Sequence, residues 1–124
     1  MNTLINLEEI EKAIMVNCVI NHHANHRLVL YRNAGPVKNT YIPRMIFIYL
    51  AEKAGFEPKD ARDYIGMTKE EYEGIHKKLP RFYEHGKIFF EDRPQYFDEI
   101  PLFFYRKLRL ISNYIFRVYG VDLY

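Results

Sequence analysis

The sequence predicts an all-α protein, and three observations carry that expectation. Apolar residues recur at three- and four-residue intervals in several segments, as in Leu7, Ile10, Ile14 and Cys18. Capping-type residues stand ahead of those segments, and glycines stand just past three of them. No segment shows the long apolar–polar alternation of a half-buried strand.

Each element has its own signals. Asn6 caps the first helix, with Glu9 three residues later in capping-box position. That helix fades near the run NHHANH, and His26 to Asn33 reads equally as a short helix or an extended segment. Ala34-Gly35-Pro36 marks a turn. A second helix is expected after Thr40 and Tyr41, with Pro43 in its first turn, where a missing N–H does no harm. Ile46, Phe47, Leu50 and Ala54 give it an apolar face, and Gly55 stops it. Pro58 opens a shorter helix through Ile65, ended by Gly66. Thr68 and Glu71 form a second capping box, and the helix they start turns Tyr72, Ile75 and Leu79 inward. Pro80 either kinks that helix or begins a new turn. From Gly86 to Pro101 the pattern is broken. A last helix starts near Pro101, capped by Asp98 or Glu99, and Gly120 ends it. Its buried face is expected to hold Phe104, Leu108, Ile111, Ile115 and Val118.

The chain has 124 residues, enough for a single domain with one core. Within residues 1–124 the elements divide into a helix-turn-helix-like core, 6–79, and an aromatic-rich helical extension, 80–124. Hydrophobic residues reach 48%, which places the chain with globular rather than disordered proteins. The lone cysteine, Cys18, rules out an intrachain disulfide, so a reducing cytoplasm is the expected location. No apolar run is long enough for a leader or a span, so neither secretion nor a membrane is expected. The net charge of +2 argues against massive phosphate contact but leaves room for a local basic surface.

The text NLEEIEKAI, IPRMIFIYLAEKAGF, ARDYIG and the helix to IHKKL resembles, over residues 6–79, the C-terminal DNA-binding domain of the bacterial replication initiator DnaA. Pro43-Arg44, Tyr49-Leu50-Ala51 and the inward trio Tyr72, Ile75 and Leu79 are the positions that match. The resemblance implies a Trp-repressor-like helix-turn-helix, and double-stranded DNA as partner in replication or transcription control of a bacterium or mobile element. It also implies that Arg32, Lys38 and Arg44 belong to a basic loop and helix start that reach DNA, and that Lys69, Glu70, His76 and Lys77 lie on a recognition helix. The family's reading turn, Arg-Asp-His-Thr-Thr, is replaced here by Met67-Thr68-Lys69-Glu70-Glu71, so base reading does not carry over. No phosphate-binding glycine loop is present, and no ATP chemistry follows.

The remaining chemistry is sparse. Glu71 fits the cap, while Glu70 is either a solvated first-turn acid or an acceptor for cytosine. His22, His23 and His26 supply two helix-spaced ligands at most, so no metal is expected. No nucleophile–base arrangement is visible, and neither an enzyme nor a cofactor is expected. Arg106, Arg109, Asn113 and Arg117 read as the plain outer face of the last helix. The alternative to DNA binding is a helix-turn-helix scaffold reused for protein contact. There, an exposed cluster of Phe89, Phe90, Tyr96, Phe97 and Phe103 in the 89–105 region would meet a partner or a second copy.

Overall fold

The structure is a computed structural model that describes residues 5–18, 37–92 and 99–123, without the side chains of 18, 37–41 and 99. The described residues form five helices and no strand: α1 (Leu7–Cys18), α2 (Val37–Lys53), α3 (Pro58–Tyr64), α4 (Lys69–Asp92) and α5 (Glu99–Tyr119). The all-α expectation holds.

Asn6 caps α1 as the spacing predicts. Its Oδ1 accepts from the Glu9 amide at 2.8 Å, and the Asn6 amide donates back to Glu9 Oε1 at 3.0 Å. α2 is the centre of the molecule and packs against each of the other four helices. Met45, Ile46, Phe47 and Ile48 are consecutive, and all are buried. Four successive helical positions point in four directions, so this helix is enclosed on every side rather than along one stripe.

α2 also begins earlier than expected. It starts at Val37, which puts Pro43 inside the helix and not in its first turn. A proline there removes one i→i−4 bond and crowds the preceding turn, and packing around the buried Pro43 ring offsets the loss. Gly55 and Gly66 end α2 and α3 in the same way. Both have positive φ, and at Gly66 the Met67 amide donates back to the Arg62 carbonyl at 2.8 Å while the Gly66 amide donates to Asp63 at 3.2 Å.

Two further expectations are corrected in the second half. α4 continues through Pro80 to Asp92, so no new turn begins at that proline. Pro80 is exposed at the groove between α2 and α4, and its missing N–H forfeits only one backbone bond. Gly86 is therefore not a breaker but a packing residue, buried where α4 crosses α5. A Cβ there would lie 2.6 Å from Tyr105 Cβ and 3.1 Å from the Pro101 carbonyl carbon, and closer still to that carbonyl's oxygen. The absent side chain lets the two backbones approach. Around the crossing, Tyr105 meets the rings of Tyr83 and Phe90 at 5.5 Å each, and Phe104 meets Phe82 at 6.2 Å. Phe104, Leu108, Ile111 and Ile115 are fully buried as expected, but Val118 is 51% exposed and leaves that stripe. No helix among the described residues is long and apolar enough to cross a membrane.

Candidate nucleic-acid interface

α3 and α4 form a two-helix unit whose turn is held at both ends. Beyond the Gly66 closure, Thr68 Oγ1 accepts from the Glu71 amide at 3.2 Å, and Glu71 Oε1 lies 3.4 Å from the Thr68 amide. Tyr72, Ile75 and Leu79 fix one side of α4 in the core. At about 100° per residue, Glu70, Glu73, Gly74, Lys77, Lys78 and Arg81 fall on the outer side, and all six are exposed.

The candidate residues separate on this frame. Lys69, Glu70 and Lys77 stand exposed on α4. Arg44 is elsewhere than the resemblance implies. It lies beyond the first turn of α2, its side chain is only 15% exposed, and Nη1 is 3.9 Å from Glu71 Oε2. It ties α2 to the capping carboxylate of α4. Lys38 belongs to the first turn of α2 and not to a loop before it, and its side chain is outside the described residues. Arg32 and the histidines 22, 23 and 26 also lie outside the described residues. Among those described, no three His, Cys, Asp or Glu residues are grouped to hold a metal.

His76 is exposed and reaches toward α2. Its Nε2 is 2.8 Å from Glu52 Oε2, and its ring stacks on Tyr72 at 5.5 Å. The pair sits at the rim of an open groove of about 590 Å³ between α2 and α4, lined also by Tyr49, Lys53 and Tyr83. Burial, then the neighbouring Tyr83, Tyr105 and Glu52, push the Tyr49 hydroxyl up to about 12, so it stays neutral.

The aromatic region is more internal than an open cluster. Phe89 and Phe90 are half-buried, Phe103 is 38% exposed, and Tyr96 and Phe97 lie outside the described residues. Arg109 leaves the plain outer face assigned to it, because its guanidinium lies 4.9 Å over Phe90 and 5.9 Å over Tyr105. Arg106, Asn113 and Arg117 do remain exposed.

Glu73, Gly74, Lys78 and Arg81 are the outer-face residues that sequence reasoning passed over. The run EGIHKKLPR held the signal, since 74, 77, 78 and 81 share one helical face. No family model, curated protein or solved structure matches the chain.

Proposed function

We propose that the chain binds double-stranded DNA through the outer face of α4, by contacts to phosphates rather than to bases. The observation that carries this is the α3–turn–α4 unit, pinned by Gly66 and Thr68, which holds Lys69, Lys77, Lys78 and Arg81 at the surface of one helix. Phosphate contact needs only charge at the right place and carries no sequence information. Glu70 and Glu73 flank these cations, so affinity is weak and nearly independent of sequence, on the order of micromolar or poorer at physiological salt. The test is fluorescence anisotropy with a labelled random-sequence duplex at low salt. Replacing Lys77 or Arg81 by Ala should weaken all duplexes alike and lower the salt slope by roughly one unit each. A wild-type chain that binds no duplex at low salt refutes the reading.

The second reading is a helix-turn-helix scaffold used for protein contact. What favours it is α5, where Ile100, Phe103, Leu110, Phe116 and Val118 are all more than a third exposed. Apolar exposure concentrated on one helix is a mark of partner surfaces. Sedimentation or light scattering that shows a dimer, lost on Leu110→Glu, would favour this reading over DNA.

A further inference from the structure

Two glycines lie within α4, and the packing explains only one of them. Gly86 has the Pro101 and Tyr105 atoms against it, whereas a Cβ at Gly74 would meet nothing within 4 Å. Gly74 is thus a poor helix former in a helix interior with no internal reason for its small size. Its surroundings supply an external one. Lys77, Lys78 and Arg81 stand at i+3, i+4 and i+7 from it, on the same face and all exposed. Side chains on a helix leave it tilted toward its N-terminus, so Lys77, Lys78 and Arg81 can reach back toward the stretch of backbone that Gly74 leaves bare. On the other side of the gap stand Glu70, Glu71 and Glu73, which repel an anion coming over the first turn. An anion at the bare backbone is therefore held beneath these cations, with Glu84 the next exposed acid beyond Arg81.

We propose that a backbone phosphate of duplex DNA seats against α4 at Gly74, held by Lys77, Lys78 and Arg81. This rests on the DNA-binding reading above and names one seat on that outer face, in the second turn of α4. The missing Cβ lets the phosphate approach the helix closely enough for all three side chains to reach it.

The experiment pairs duplex binding with thermal melting for Gly74→Ala and Gly74→Gln. Gly74→Ala should raise the melting temperature, because it removes a poor helix former and touches nothing. It should nonetheless weaken duplex binding. Gly74→Gln keeps the charge and fills the gap, and should weaken binding about tenfold, equivalent to one charge-assisted hydrogen bond, with the salt slope lowered by about one unit. If Gly74→Gln binds the duplex as tightly as wild type with the same salt slope, while Lys77→Ala and Arg81→Ala bind more weakly, the seat at Gly74 is refuted and the DNA reading survives. If the wild-type chain binds no duplex, both fall. A single strand of the same length that binds as tightly as the duplex also overturns the assignment to duplex DNA.

Discussion

Gly86→Ala tests the crossing of α4 and α5, and Gly74→Ala in the same helix is its control. Replacing glycine by alanine within a helix is worth about 1 kcal/mol in propensity alone. At Gly74 that is the whole effect, since a new methyl meets nothing within 4 Å. At Gly86 the methyl would lie 2.6 Å from Tyr105 Cβ and 3.1 Å from the Pro101 carbonyl carbon. Carbon atoms in contact prefer about 3.5–4.0 Å, so the helices must part by roughly 1 Å. The obstacle includes backbone, which cannot rotate aside as a flexible side chain can. Parting also loosens Tyr105 from Tyr83 and Phe90, whose rings lie at 5.5 Å. Overpacking of this kind costs about 3 kcal/mol, against which the propensity gain leaves a net loss of about 2 kcal/mol. Urea unfolding followed by far-ultraviolet circular dichroism should place the two variants on opposite sides of wild type, about 3 kcal/mol apart. A Gly86→Ala protein that unfolds at or above the wild-type midpoint would refute the close crossing.

Four further outcomes follow from the same structure. Thr68→Ala removes the acceptor for the Glu71 amide and should cost about 1 kcal/mol in urea unfolding. Tyr64→Phe takes away the hydroxyl that donates to the buried Glu11 Oε1 at 3.1 Å, and should cost about 1–3 kcal/mol in the same assay, with Glu11→Leu added to it recovering part of the loss. The folded state holds the Tyr49 proton to about pH 12 against an ordinary 10.0, so its contribution is present below pH 10 and is lost as pH rises toward 12; melting curves should show a shallower alkaline decline for Tyr49→Phe. Glu70→Gln should tighten duplex binding in the anisotropy assay, because it removes a carboxylate from the proposed phosphate-facing side.

Local signals carried most of the fold. The boxes Asn6–Glu9 and Thr68–Glu71 and the stops at Gly55, Gly66 and Gly120 depend on residues within a few positions of one another, and each was legible. The errors fell where the deciding neighbour is distant in sequence. Gly86 looks like a breaker until Pro101 and Tyr105 are laid against it. Pro80 and Pro43 look like boundaries until burial elsewhere on their helices outweighs one lost hydrogen bond. α2 showed only part of its apolar surface as a periodic stripe, because a helix enclosed on all sides has little periodicity to read. The candidate site divides in the same way. The resemblance put Lys69, Glu70 and Lys77 on this helix, where all three are exposed, whereas the partners of His76 and Arg44, Glu52 on α2 and Glu71 on α4, are distant in sequence and gave no local signal.

The relation between Arg44 and Glu71 bears most directly on the proposed contact with DNA. Glu71 serves the cap through one oxygen and lies 3.9 Å from the Arg44 guanidinium through the other. An arginine with only 15% of its side chain exposed, next to a carboxylate that the helix start requires, has its charge offset before any phosphate arrives. Drawing Arg44 outward would leave Glu71 without this partner beside the other first-turn acid, Glu70. The two residues therefore act first as a brace between α2 and α4. Arg44→Ala should then lower stability more than it lowers affinity for DNA, the reverse of what Lys77→Ala should do. The first turn of α4, carrying Glu70 and Glu71, is a poor place for a polyanion, and the cations that remain on the outer face after it are Lys77, Lys78 and Arg81. On the proposed DNA reading, the contact therefore lies along α4 beyond its first turn, away from the turn that joins α3 to α4.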